Sequence, residues 1–165
     1  MDKNDKFLGK YASKTQCHVE NGLHHRAFTM MILNKKGEVL LQKRKHKLWD
    51  SYWDLTNSHP LHMKDVDETY KQAAKRCLKR EWGVEFSVKK LFGFNYFAKY
   101  GDFCENEYCA FLLGSYNGEV YPNPKVAYGY KWMFLNKLLE DIKINPENYT
   151  PWTIKALEEY EKRFV

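Results

Sequence analysis

Apolar and polar positions along the chain divide it into short extended runs and three amphipathic stretches. Ala27 to Leu33 (AFTMMIL) is an apolar run of strand length. Asn34-Lys35-Lys36-Gly37 reads as a turn and Glu38 to Arg44 as a second strand, so the pair predicts a hairpin. Residues 45–66 show no period and read as irregular, with Trp49, Tyr52, Trp53 and a His59-Pro60 pair. From Asp67 to Trp82 the apolar positions Tyr70, Ala73, Ala74, Cys77, Leu78 and Trp82 fall at helical spacing, and Gly83 supplies a C-terminal cap. Val84 to Tyr100 predicts strand with a turn near Lys89-Lys90, and Phe103 to Leu113 predicts another strand. Asn117-Gly118 marks a tight turn, Tyr128 to Leu135 a strand and Leu135 to Ile142 a short helix. Thr150-Pro151 reads as an N-cap with proline at the first helical position, opening a last helix to about Arg163. Paired strands in mixed order, with helices between and after them, predict an α+β fold or mixed-sheet sandwich rather than a doubly wound sheet.

A chain of 165 residues suits one domain spanning 1–165, with 1–13 expected as a flexible leader. Hydrophobic residues at 44% and aromatics at 16% place it among globular proteins. No apolar run approaches the ~20 residues of a membrane span, and the charged start lacks an apolar signal core, so a cytoplasmic protein with no membrane partner is expected. Cys17, Cys77, Cys104 and Cys109 form no CxxC pair, which fits a reducing compartment. The net charge of +6 suits an anionic small substrate or weak nucleic-acid contact and is too dispersed to point to either; no nucleic-acid partner is expected. A monomer or weak dimer is expected.

The chemistry gathers on Glu105-Asn106-Glu107. Residues two apart on a strand share a face, so two carboxylates stand side by side, a costly arrangement to bury without a cation or shared proton. A wet, acidic edge strand is the plain alternative. His18, His25 and His59 are available to complete a site with Glu105 and Glu107. Three imidazoles with two carboxylates suit Mn²⁺, Fe²⁺ or Zn²⁺ better than Ca²⁺. His24 and His46 read as loop residues outside this group.

His-Arg-Ala-Phe at 25–28, His59-Pro60, Glu-Asn-Glu at 105–107 and Thr150-Pro151-Trp152 together resemble type I isopentenyl diphosphate isomerase, from about Lys14 to the final helix. The resemblance implies a Nudix-like α/β/α sandwich with a mixed sheet. It also implies a small prenyl diphosphate substrate, with conversion of isopentenyl to dimethylallyl diphosphate by addition and removal of protons. It assigns His18, His25, His59, Glu105 and Glu107 as the metal shell, and Glu81 to a Mg²⁺ that bridges to the substrate diphosphate. Lys14 and Arg44 match its basic residues at the diphosphate, with Lys47 as a further match. Tyr96 and Trp152 match its active-site aromatics, and Glu107 its acidic proton carrier. The position of its cysteine, two before the histidine of the His-Pro pair, holds Asn57, and an amide does not exchange protons near neutral pH. Asp54 is a candidate replacement acid. Nudix hydrolases resemble the chain less well, because Cys77 and Arg80 stand where their helix carries glutamates. Hydrolysis of a prenyl or nucleotide diphosphate, or diphosphate binding without turnover, are the alternative expectations.

Overall fold

Along the first long strand the side chains alternate between two cores. Phe28, Met30 and Ile32 pack on one face with Ala73, Ala74, Cys77, Leu78 and Trp82, while Ala27 and Met31 pack on the other with Leu138, Ile142, Ala156 and Leu157. A sheet buried on both faces must carry apolar residues at every position, so this run lacks the alternation of a half-exposed strand. A computed structural model describes residues 1–165. In chain order the elements are α1 (Lys14–His18), β1 (His25–Leu33), β2 (Glu38–Arg44), β3 (Trp53–Asp54), β4 (Thr56–Ser58), β5 (His62–Met63), β6 (Val66–Asp67) and α2 (Tyr70–Trp82). β7 (Val88–Tyr100), β8 (Phe103–Ser115), β9 (Ala127–Phe134), α3 (Leu135–Ile144) and α4 (Pro151–Phe164) follow. With α2 on one face and α3 and α4 on the other, the expected α+β sandwich is present. Its sheet is mixed, since β1 runs parallel to β8 and β7 antiparallel to β8.

The expected hairpin holds only at its turn. β1 and β2 pair at Leu33 and Val39 and then splay apart. Residues 53–58, expected to be irregular, fill the gap: β3 pairs with β2, and β4 pairs with β1. Two strands this short carry no readable period. The wedge is fixed at one end by Trp82, fully buried at the end of α2, whose Nε1 donates to Thr56 Oγ1 at 2.8 Å. His59 follows directly.

Other boundaries shift for local reasons. α2 starts at Tyr70 rather than Asp67, because Thr69 and Gln72 form a capping box and Asp67 belongs to the small β5–β6 hairpin. Gly83 ends the helix in the left-handed region as expected. The turn expected near Lys89-Lys90 is a bulge within a continuous β7. Thr150 occupies the N-cap position of α4 but does not cap it, since its hydroxyl donates to Asp54. The short α1 was unforeseen, though Ser13 and Gln16 carry the capping-box signature. In the segment expected as a leader, Asp5 meets Arg26, Lys90 and the Tyr70 hydroxyl.

Gly22 has φ +56°, and a Cβ there would lie 2.5 Å from Cys17 O and 2.6 Å from Cys104 Sγ. This close approach lets α1 sit against β8. Gly22→Ala is expected to destabilise the protein by about 1–3 kcal/mol through backbone strain, with the collision adding to it. Chemical denaturation measures the change; an unaltered midpoint would contradict the packing described.

Candidate active site

Sheet register brings the chemistry together. Glu107 on β8 lies opposite His25 on parallel β1 and Tyr96 on antiparallel β7. His18 enters from the end of α1, and His59 from the residue after β4. His18 Nε2 lies 3.0 Å from Glu105 Oε2, His25 Nε2 3.3 Å from Glu107 Oε1 and His59 Nε2 2.9 Å from the same oxygen. The Tyr96 hydroxyl donates to the other oxygen of Glu107. Asn106, between the glutamates, faces away and donates to the carbonyls of Asn21 and Gly22, tying the segment between α1 and β1 to the strand.

These five residues fit a divalent cation. One ligand atom from each lies within 4.8 Å of all the others. His18 Nδ1 is 2.6 Å from the Lys14 carbonyl and His25 Nδ1 2.8 Å from that of Leu23. A carbonyl only accepts, so each Nδ1 carries the proton and each Nε2 is left to present a lone pair. His18 Nε2, His25 Nε2 and Glu105 Oε2 are buried without a well-aligned hydrogen-bond partner. Lone pairs and carboxylate oxygens converging out of water call for positive charge at their centre. Without a metal, protons take that place. Burial disfavours the charged His18, but its contact with Glu105 outweighs this and raises its pKa above 6.5. Burial also opposes ionisation of Glu107, and its contacts with His25 and His59 outweigh that, holding it well below 4.5. Burial, reinforced by Glu107, pushes the Tyr96 phenol well above 10.0.

His18, His59, Glu105 and Glu107 of this cluster line a cavity of about 510 Å³. Lys14, Arg44 and Lys47 line it, joined by Lys45, which the sequence did not single out, and by Arg80, noted in the sequence only for standing where hydrolases carry a glutamate. Glu81 is buried at the end of α2; Arg80 Nη2 holds its Oε1 at 2.5 Å, while its Oε2 has no partner. Burial raises the Glu81 pKa, with Arg80 opposing. Gln42, also buried and also lining the cavity, likewise leaves Oε1 unpartnered. Its signal in the sequence was a polar side chain on the Leu40 face of an apolar strand. Tyr96, Trp152, Leu48 and Phe103 supply the apolar wall, with Trp49 edge-on behind Trp152 at 5.1 Å between ring centroids.

Asn57 lines the cavity, but its Nδ2 donates to Asp54 Oδ2 at 2.7 Å and to the Leu55 carbonyl at 3.0 Å. Asp54 lies fully buried beneath the cavity wall, enclosed by donors, and is not open to a substrate as a replacement acid would have to be. None of the four cysteines lines the cavity. Cys109 shares the Glu107 face, as expected, and its thiol donates to Thr29. His24 and His46 stay outside the metal group. Burial, and next Arg44, lower the pKa of His46 to about 4.

The NUDIX domain model matches residues 23–153. The isopentenyl-diphosphate Delta-isomerase of Serratia proteamaculans is 31% identical over 96% of this chain and 88% of that protein. Isopentenyl-diphosphate Delta-isomerase 2 of Photorhabdus laumondii is 35% identical over 95% and 88%. Among solved structures, DR0079 from Deinococcus radiodurans superposes with a TM-score of 0.73 at 15% identity, covering 96% of this chain and 94% of that one. A MutT protein from Methanosarcina mazei gives 0.67 at 19% identity, covering 84% and 94%. The structures share the fold. The chain belongs to the Nudix family and, within it, to the isopentenyl-diphosphate Delta-isomerases.

A metal held by this cluster would compete with protons there, which sets a pH signature. A histidine raised on folding stabilises the metal-free chain below its unfolded value of 6.5, and that contribution is lost as pH climbs through the folded pKa. A carboxyl lowered on folding stabilises above 4.5, and that contribution is lost as pH falls through the folded pKa. Chelator-treated protein should therefore melt at a higher temperature near pH ~6 than near pH ~8 or ~3. With Mn²⁺ the gain in melting temperature should instead grow from pH ~6 to ~8, as the competing protons leave. Thermal unfolding across this range, with and without Mn²⁺, checks both; equal Mn²⁺ gains at the two values would contradict the competition.

Proposed function

We propose that the chain interconverts isopentenyl and dimethylallyl diphosphate in a metal-dependent reaction, adding a proton at one alkene carbon and removing another two carbons away. The observation that carries this reading is the placement of Glu107. It belongs to the histidine cluster, takes the Tyr96 hydrogen bond, and lines a cavity whose walls carry both cations and aromatic rings. The isomerase names borne by relatives over nearly the whole chain support it.

In this reading Lys14, Arg44 and Lys47 bind the diphosphate, with Lys45 and Arg80 beside them. The prenyl tail lies along Trp152, Tyr96, Leu48 and Phe103. These side chains exclude water, and the indole face of Trp152 favours positive charge developing on the tertiary carbon. Glu107, oriented by Tyr96, holds and exchanges the proton on one face of the alkene. Mg²⁺ at Glu81 would neutralise diphosphate charge, and Mn²⁺, Zn²⁺ or Fe²⁺ in the histidine cluster would set the basicity of Glu107. Asn57 also lines the cavity, at the position where the family resemblance implies a cysteine, and its amide orients rather than exchanges. None of the four cysteines lines the cavity, so no thiol is assigned as the second proton carrier.

Pyrophosphate hydrolysis is disfavoured by α2 itself. Cys77 is packed in the core and Arg80 clamps one oxygen of Glu81, so the helix offers a single carboxylate oxygen where the hydrolase chemistry needs several.

Turnover of isopentenyl diphosphate in D₂O with Mg²⁺, and with Mn²⁺ in a parallel sample, followed by proton NMR, tests the assignment. Deuterated dimethylallyl diphosphate is expected. Released phosphate would favour hydrolysis; binding with neither turnover nor solvent exchange would favour a diphosphate-binding protein; either outcome overturns the isomerase reading. Glu107→Gln should lower turnover by about 10²–10⁴-fold with diphosphate binding largely kept. Turnover at the wild-type rate would remove Glu107 from the proton path.

A further inference from the structure

Three residues that line the cavity share one anchor. Asp54 is completely buried, and five side-chain donors converge on its carboxylate. Oδ2 takes Arg44 Nη1 at 3.1 Å and Asn57 Nδ2 at 2.7 Å. Oδ1 takes Trp152 Nε1 at 2.7 Å, Thr150 Oγ1 at 2.9 Å and Thr153 Oγ1 at 3.0 Å. Arg44, Asn57 and Trp152 line the cavity; Thr150 and Thr153 do not. The Arg44 guanidinium also lies 5.0 Å from the centre of the Trp152 ring, so the two side chains stack above the carboxylate that holds both.

We propose that Asp54 is the positioning residue of this active site, fixing through one carboxylate both the Arg44 guanidinium that would meet the diphosphate and the Trp152 indole that would face the alkene. This rests on the isomerase reading of the cavity. Each oxygen has a distinct task. Oδ2 aims the guanidinium and draws the Asn57 amide back, so Asn57 turns its Oδ1 rather than its N–H groups away from the anchor. Oδ1 fixes the indole plane and pins the first turn of α4 to the wedge between the splayed strands. Thr150 leaves its own helix uncapped to reach this oxygen, so the cluster forgoes a local bond in favour of the anchor. A carboxylate is the group that accepts at both oxygens. An amide at the same position would turn an NH₂ toward either Arg44 and Asn57 or Trp152 and the threonines, leaving buried donors facing a donor.

The test compares Asp54→Asn with Thr153→Val. The second removes one donor to the same carboxylate, and the acceptor of the Leu55 N–H, from a residue outside the cavity. Calorimetry with inorganic diphosphate and Mg²⁺ reads the placement of Arg44, and turnover of isopentenyl diphosphate reads that of Trp152. Asp54→Asn should weaken diphosphate about tenfold or more and lower kcat about 100-fold. Thr153→Val should melt at a lower temperature with both constants within about twofold of wild type, which a merely structural anchor would not separate. Folded Asp54→Asn with wild-type affinity and kcat would overturn the proposal, as would Thr153→Val losing both constants equally. If Asp54→Asn does not fold, Asp54→Glu replaces it, keeping the charge and both acceptor oxygens but displacing them by one methylene from their five donors. A joint fall in diphosphate affinity and kcat would support the anchor, and wild-type values of both would overturn it. Wild-type protein without turnover would remove the isomerase reading by itself. The Asp54 proposal would then stand on a tenfold loss of diphosphate affinity in Asp54→Asn, or fall without it.

Discussion

Two carboxylates on one face of a buried strand repel each other, and the arrangement persists only with positive charge between or beside them. Three imidazoles delivered by α1, β1 and the residue after β4 converge on Glu105 and Glu107, so that a cation or a proton held among them meets that condition. The parallel pairing of β1 with β8 sets His25 against Glu107, and the close approach at Gly22 brings α1 and His18 to Glu105. The wedge that fills the splayed hairpin ends at His59. The topology around the site thus converges on one electrostatic requirement.

The same wedge also shapes the cavity. Because β1 and β2 separate after a single pair, residues 53–58 lie between them, which buries Asp54 and places Asn57 on the wall. Trp82 holds the wedge to α2 from one side, and Thr153 donates a bond to Asp54 and accepts one from Leu55 on the other. The helices on both faces of the sheet therefore bear on the cavity through six residues, none of which carries the negative charge of the histidine cluster itself.

Much of this was legible beforehand. The two-residue period of Glu105 and Glu107 is a local fact of strand geometry, and β1, β2, α2, β8 and α4 announced themselves through apolar runs, Gly83 and Pro151. The metal group was readable because its residue types are scarce and chemically matched. The wedge was not, because strands of two and three residues carry no period and depend on long-range pairing. For the same reason Asp54 read as a free acid: only the fold shows that Arg44, Asn57, Thr150, Trp152 and Thr153 all reach it. Thr150 was a sound local N-cap reading that a buried carboxylate overrode. Arg80 and Lys45 are ordinary exposed cations in sequence, and only the cavity gives them a direction.

The histidine–glutamate cluster has the make-up of a cation site built around Glu107. Manganese binding followed by electron paramagnetic resonance tests it most directly, on chelator-treated wild type beside His59→Ala and Glu105→Gln. The account predicts one tightly held Mn²⁺ per wild-type chain, with hyperfine broadening from imidazole nitrogen, and affinity falling at least about tenfold in each variant. Wild-type protein that binds no Mn²⁺, or binds it with an all-oxygen signature unaffected by either substitution, would contradict it.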